Sequence, residues 1–547
     1  MVKAIEEKAS KTSFKTNIRL LTISESEARA EALLEQLEGS FTQFNTQETN
    51  QFGIRRYSDK ALNRFLYKFI FRVFDSSEVM FLNTEELTSI FHFPMGNLNT
   101  PKIKWVTSKK SHPPVNLPNE GLIIGQNTYR GVDTKVRIGR EDRRRHMYVI
   151  GQTGTGKTSF MKKMIEQDLK NGEGLALLDP NGDFAQEVVG MVPRERADDL
   201  IYFNPSDIDR PLGLNILEAE TPEEQDFVTQ EMIQIFYQLV SDPSMIGPIF
   251  EHNMRNAMFA LMADPNNPGT LVEIPRLFTD DAFRAQIVSK VTDPLVKAFW
   301  EKEFPASQKG QQAGDMVGYL ISKLGRFIEN EMVRNIIGQP KSAFNFRDVM
   351  DGNKILVCNL SKGGIGEINS KLLGMLIVSK LQMAAFRRND IPEKDRKDFY
   401  VYLDEFQNFT TESISTILSE ARKYRLNMTL AHQFIGQLNE PIRNAVFGNV
   451  GTNVAFRVGP EDAEFLEKKF APDFDASDIA GIDNLNAITA LMINGQTSKA
   501  FNLKVIFADY PDEEIQHALT ELSRLKYGKP RDFVQRSIMY RSKLGDH

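Results

Sequence analysis

The sequence predicts an α/β chain in which a buried parallel sheet is interrupted by a block of helices and preceded by a smaller α/β domain. Three observations predict this. Short continuous apolar runs, "MYVI", "GLALLD", "KILVCNL", "DFYVYLDE" and "NMTLAHQ", have the length and composition of strands covered on both faces. Between the second and third of them, from about 221 to 345, the pattern turns helical. Ahead of residue 118 strand-like and helix-like stretches alternate by themselves.

The elements follow in order. "FKTNIRLLTI" (14–23) reads as a strand, and "SESEARAEALLEQLEGSF" as a helix capped by Ser24 or Ser26. "FGIRRYS" (strand), "KALNRFLYKFIFRVF" (helix) and "EVMFLN" (strand) complete the first domain, 1–118, which ends in a linker or extended crossing, "TPKIKWVTSKKSHPPVNLPNEG". Residues 119–220 form the first part of the core. They hold the paired strands of "GLIIGQNTYRGVDTKVRI", the strand "MYVI", the helix "TSFMKKMIEQDLKNG", the strand "GLALLD" and a third candidate, "IYFNP". "PEEQDFVTQEMIQIFYQLV", "PIFEHNMRNAMFALM", "DPLVKAFWEKEF" and "DMVGYLISKLGRFIENEMVRNII" make 221–345 an inserted all-α domain. Strands resume over 346–510, adding "NVAFRV" and "AITALMIN", and 511–547 reads as a helix with a basic tail.

Composition narrows the function. A chain of 547 residues needs about two to four domains. Its single cysteine, Cys358, sits in an apolar run and reads as a small buried hydrophobe in a reducing compartment. Net charge is −6, which argues against a surface coated by nucleic acid but not against a basic groove or pore. The seven histidines show no HExxH spacing. No signal peptide is visible. The longest greasy run, 372–386, is broken by Lys380 and Gln382 and is shorter than the roughly 20 residues of a spanning helix, so it reads as a core helix of a soluble protein.

The chemistry lies at strand ends. Gly151-Gln152-Thr153-Gly154-Thr155-Gly156-Lys157-Thr158 fits GxxxxGK[ST], with a strand before it and a helix after. Glycines let backbone N–H groups turn toward phosphates at a helix N-terminus. Lys157 can reach the β/γ-phosphates of ATP, and the Thr158 hydroxyl can bind Mg²⁺. "DFYVYLDEF" ends a strand in Asp404-Glu405. Asp404 can hold Mg²⁺ through water, and Glu405 can polarise the attacking water, which argues for ATP hydrolysis over a nucleotide switch. Gln433 ends another strand and could sense the γ-phosphate; the alternative is a loop amide bonding backbone. His432 reads as structural. In "ILSEARKYRLN", Arg422 is the first candidate for an arginine finger and Arg457 of "NVAFRVG" the second; the alternative for Arg422, with Lys423 and Arg425, is a basic helix C-terminus favoured by the dipole. Asp179 could face the nucleotide or the pore, or it could open a turn with Pro180-Asn181-Gly182. Lys362 in "SKGGIG" is a weak phosphate-binding candidate.

Taken in order, "IGQTGTGKT", "LLDPNGD", the helical insertion, "YLDEFQNF", "SEARKYRLNMTLAHQ" and "NVAFRVGPEDAEFL" resemble the HerA–FtsK superfamily of DNA pumps, and within it the TraG/TraD-type conjugative coupling proteins of type IV secretion. The resemblance covers roughly 140–510. It implies a RecA-like P-loop NTPase core and hexamers that thread DNA through a central channel, with a relaxase and a membrane secretion channel as partners. It also implies that Gln433, Asp404, Glu405 and Arg422 act on ATP across subunit interfaces. Many coupling proteins begin with membrane-spanning helices, whereas this chain begins with an α/β pattern. The chain is therefore expected in the cytoplasm, either docked at the inner face of the membrane or free, as HerA-like proteins are. The alternatives are a HerA-like motor for DNA processing or packaging, a pilus or protein-export ATPase, and a module with a dead nucleotide pocket. Intact Lys157, Thr158, Asp404 and Glu405 speak against the last.

Overall fold

The computed structural model describes residues 6, 8–45, 51–91, 109–240, 246–308 and 313–543. It divides into two compact units, 1–104 and 105–547.

In the first unit β1 (Ser13–Thr16) pairs antiparallel with β2 (Met80–Asn83). Helices Glu27–Phe41 and Asp59–Ile70 come between them, and helix Thr84–Ile90 follows. Asn83 starts that last helix with a reciprocal cap: it accepts from Glu86 N at 2.9 Å, and Glu86 accepts from Asn83 N at 2.9 Å. Two expectations need correction. The first strand is shorter than 14–23, and "FGIRRYS" is not a strand. Side chains hold that stretch instead of a ladder: Arg56 bonds Glu38 at 2.6 Å, and the Tyr57 hydroxyl bonds Glu78. The expected linker lies outside the described residues up to 108. Its continuation is tied to the second unit, where Ser111 N donates to Asn502 Oδ1 at 2.6 Å.

The second unit is built on one sheet of eleven strands. In chain order these are β3 (Leu122–Tyr129), β4 (Val132–Ile138), β5 (Met147–Ile150), β6 (Gly174–Asp179), β7 (Leu200–Phe203), β8 (Ile355–Asn359), β9 (Phe399–Leu403), β10 (Leu426–His432), β11 (Thr452–Ala455), β12 (Asn486–Ala490) and β15 (Phe501–Lys504). A small hairpin, β13 (Met492–Ile493) and β14 (Gln496–Thr497), stands apart from that sheet. Across the sheet the order is β4-β3-β15-β12-β11-β5-β10-β9-β6-β8-β7. The strands from β11 to β7 are all parallel, and the other edge is antiparallel. The parallel half places the C-terminal ends of β11, β5, β10 and β9 side by side.

Strand period sorts the core into two layers. Met147, Val149, Leu175, Leu177, Ile355 and Val357 face helices Lys157–Lys170 and Asp183–Val189, meeting Met161, Ile165, Ala185 and Val188. Tyr148, Ile150, Ala176, Leu178, Leu356 and Cys358 face the other way, into one core shared with helices Pro222–Leu239 and Glu367–Phe386. Among the described residues, 221–345 contains no strand. Its first helix starts where Thr221 caps Glu224 N ahead of Pro222. The block is thus an insertion in chain order that packs as a layer on one face of the sheet.

The Glu367–Phe386 helix is buried along most of its length. Lys380 points inward, donates to Glu218 O at 3.1 Å, and is lowered to about 8 by burial. No helix among the described residues is long and apolar enough to cross a membrane. Burial pushes the Cys358 thiol up, which keeps it inert. The expected basic tail also needs correction. Helix Glu513–Tyr527 is followed by another, Arg531–Ser542, which buries Val534 and Ile538 and ties Arg541 to Asn267 at 2.7 Å. Residues 544–547 lie outside the described ones.

The basic run Arg140–Arg145 serves the sheet. Arg143 presents its guanidinium to both oxygens of Asp168 at 2.8 Å each and stacks over Tyr400 at 3.6 Å. Arg144 grips Asp398 at 2.8 Å through two nitrogens, and Asn427 joins at 3.2 Å. These groups knit the N-terminal ends of β5, β9 and β10. Removing one partner of a buried pair strands the other charge. Asp168→Asn is therefore expected to cost about 3–5 kcal/mol in urea unfolding. Glu420→Ala, at an exposed pair with Lys423, should leave the urea midpoint almost unchanged. Equal small losses would show that the Arg143 pair contributes no more than a surface one.

Candidate functional site

Four elements meet at the C-terminal ends of the central strands. The first is the loop between β5 and the Lys157–Lys170 helix. It turns on Gly154 (φ 76°) and Gly156 (φ 123°), in a region that residues with a Cβ seldom adopt. It is sewn to its neighbours by backbone. Gly151 N donates to His432 O at 3.3 Å, Gln152 N to Arg457 O at 2.9 Å, and Leu485 N to Thr155 O at 2.8 Å. A Cβ on Gly151 would meet Phe456 at 2.5 Å. Inside the loop Thr155 Oγ1 donates to Gln152 O at 2.7 Å, while Gln152 and Thr153 face solvent. Thr158 is half-buried in the first turn of the helix.

Lys157 is buried, and its ammonium curls back onto Gly151 O and Gln152 O. Burial lowers its pKa, against the pull of Glu405 and Asp404. The second element is the end of β9. Asp404 is 5% exposed and its pKa is pushed up to about 7, first by burial and then by Asp179 and Glu405, with Lys157 opposing. Next to it Glu405 takes a left-handed backbone, φ 47° and ψ 51°. The third element is Gln433, directly after β10, which donates from Nε2 to Glu405 Oε1 at 2.8 Å. Gln407 holds Glu405 Oε2 at 2.9 Å. Sequence reasoning thus named four residues that the fold brings together: Lys157, Asp404, Glu405 and Gln433.

The fourth element is the end of β6. Asp179 accepts from Asn181 N and Gly182 N at 2.8 Å each and from Ala185 N at 2.9 Å. Of its sequence readings, the turn-opening one matches these bonds. Its charge still reaches Asp404. Lys362 donates to Asn408 Oδ1 at 3.2 Å, and Asn408 Nδ2 donates to Glu405 O at 2.8 Å. It therefore braces the Glu405 corner. His432 is fully buried and bonds the Tyr148 hydroxyl.

The two arginine candidates sit in different places. Arg457 lies beside its own chain's phosphate loop and donates to Asn484 Oδ1 at 2.8 Å. Arg422 lies in the turn before β10, at the opposite end of that strand from Gln433. Seven residues of strand separate the two ends, about 23 Å at roughly 3.3 Å per residue. Among the described residues its exposed side chain makes no hydrogen bond or ion pair, whereas Lys423 bonds Glu420 at 2.9 Å.

Sequence reasoning missed Gln407, Asn408 and Leu485. The two amides follow Asp404-Glu405 after one residue, Phe406, which is the signal that could have found them. Nothing local marks Leu485, which reaches the loop from the turn before β12.

The residues present fit a nucleotide with Mg²⁺. Helix-start N–H groups and Lys157 suit phosphates. Asp404, Glu405 and Asp179 crowd together with Lys157 as the cation acting on Asp404, a repulsion that a divalent cation at Asp404 and Thr158 would relieve.

Comparison with known proteins gives the family and the fold. Residues 134–471 match the family model described as the type IV secretion-system coupling protein DNA-binding domain. Residues 1–106 match a model described as a domain of unknown function. A curated relative, the type 4 coupling protein DotL of Legionella pneumophila subsp. pneumophila, is 23% identical over 408 residues, which is 63% of this chain and 51% of DotL. The chain thus spans about half the length of that relative. The solved structure of the plasmid coupling protein TrwB in complex with ADP and Mg²⁺ superposes with a TM-score of 0.52 at 15% identity, over 73% of this chain and 93% of that one. TrwB with a non-hydrolysable ATP analogue gives 0.52 over 73% and 92%, also at 15% identity. VirB4 of Thermoanaerobacter pseudethanolicus gives 0.50 at 14% identity over 73% and 99%. At these identities the likeness is one of fold: a RecA-like core with added helices.

Proposed function

The chain belongs to the type IV secretion-system coupling protein family, and from that premise we propose that it is an ATP-hydrolysing ring motor that moves DNA in conjugative transfer. The observation that carries the proposal is the bond from Gln433 to Glu405 in the pocket that also holds Lys157. It joins a base, its orienting amide and a phosphate counter-ion, drawn from three separate strand ends.

Each residue then has a task. Lys157 leaves the carbonyls of its own loop to neutralise the triphosphate. Glu405 accepts a proton from the water that attacks the γ-phosphorus, as the bond to the leaving ADP oxygen breaks. Gln433 fixes Glu405 Oε1 and couples that corner to β10. Thr158 and Asp404 would hold Mg²⁺, which when bound offsets phosphate charge.

Arg422 supports a ring. It stands a strand's length from its own Gln433, so within one chain it serves no phosphate there. Placed against a neighbour's site it would stabilise transition-state charge. A hexamer threaded by DNA accounts for this placement, with a relaxase and a membrane channel as partners at the inner face of the membrane. With net charge −6, DNA contact must be local. It should rest on phosphates, weaken steeply with salt and show little base preference.

The test mixes subunits. Arg422→Ala and Glu405→Gln should each be inactive alone. Their random mixture should regain turnover, because a normal finger and a normal base meet at some interfaces. Normal turnover by Arg422→Ala in assembled rings would reject the finger. Failure to assemble with ATP and DNA present would reject the ring.

A further inference from the structure

The chain that leaves the Glu405 corner is held from a direction that phosphate binding does not require. Phe406 and Phe409 are fully buried. Phe409 lies so close to Gly374 of the Glu367–Phe386 helix that a Cβ there would meet its ring at 2.1 Å. Beyond it two hydroxyls converge on a single atom, Glu231 Oε2: Thr411 at 3.1 Å and Ser413 at 3.0 Å. Ser379 adds a third at 2.9 Å. Glu231 belongs to Pro222–Leu239, the first helix of the helical layer, and is 4% exposed.

A buried acid is costly unless it is hydrogen-bonded, and an apolar residue of similar size would pack there without that cost. Burial pushes the Glu231 carboxyl up, and the three hydroxyls pull it back. Packing alone therefore does not explain an acid at this position. What the acid gains is a directional hold on residues 411–413, a few residues beyond Glu405.

We propose that Glu231 is a positioning residue for hydrolysis: it anchors the 406–413 segment to the helical layer and so fixes the backbone from which Glu405 works. Glu405 is sensitive to such an anchor, because its left-handed backbone persists only where the surroundings hold it. A shift of helix Pro222–Leu239 against the sheet pulls on Thr411 and Ser413, and through them on the base. The helical layer thereby gains a grip on turnover that bypasses the phosphate loop. The inference rests on the reading of Glu405 as the base of ATP hydrolysis.

The test compares wild type with Thr411→Val/Ser413→Ala, which removes two donors, and with Glu231→Ala and Glu231→Gln. In the double variant kcat should fall about 10- to 100-fold, the size expected when a base is misplaced. KM for ATP should stay within about twofold, because the phosphate loop is untouched. Glu231→Gln keeps an acceptor oxygen and should recover part of what Glu231→Ala loses. Amide hydrogen exchange in peptides spanning 404–413 should quicken in the double variant, while that of 157–170 keeps its wild-type rate. Unchanged kcat, or a loss that matches the fraction unfolded, overturns the proposal. So does unchanged exchange over 404–413. If wild type itself does not hydrolyse ATP, the functional reading fails, and the exchange measurement still decides whether the clamp exists.

Discussion

Glu405→Gln is expected to keep nucleotide and to lose turnover by about 10²–10⁴-fold, the usual contribution of a positioned base. The change is nearly isosteric. It leaves an acceptor oxygen for Gln433, while the atom facing Gln407 becomes an NH₂ group. Lys157 and the loop backbone are untouched, so affinity for ATP should stay near wild type. Single-turnover hydrolysis alongside a binding titration separates the two quantities. Wild-type turnover in this variant would remove Glu405 from the mechanism.

Lys157→Ala should do the opposite and fail at binding. Its ammonium is already buried beside Asp404 and Glu405. Truncating one partner of a buried charge contact costs about 2–5 kcal/mol, so nucleotide affinity should drop by roughly 30- to 5,000-fold. Titration with a fluorescent ATP analogue reads this directly. A dissociation constant within about twofold of wild type would mean that loop backbone and helix dipole suffice.

How much of this could be read beforehand depended on distance along the chain. The phosphate loop, Asp404 and Glu405 were legible because strand, turn and functional residue are contiguous. Gln433 was legible because buried parallel strands end on one side of a sheet. Arg143 and Asp168 were not, since they lie 25 positions apart and their value comes from burial, which a basic run such as "REDRRR" does not announce. Glu231 was invisible for a similar reason: one acid in an amphipathic helix reads as a solvent-facing charge until the fold turns it inward. "FGIRRYS" misled because alternation favours a strand only where a ladder partner exists. The second C-terminal helix reads as a tail because arginines mask the buried pair Val534 and Ile538, four residues apart on one helical face.

The central claim is that ATP turnover at this site is harnessed to DNA. Steady-state ATP hydrolysis by the full chain, measured without DNA and with single- or double-stranded DNA at low salt, tests it most directly. The account predicts that at least one form of DNA raises turnover, and that the rise vanishes in Glu405→Gln and fades as salt is added. Hydrolysis at one rate in all three conditions, from assembled rings, would contradict it and point to an export motor that does not touch DNA.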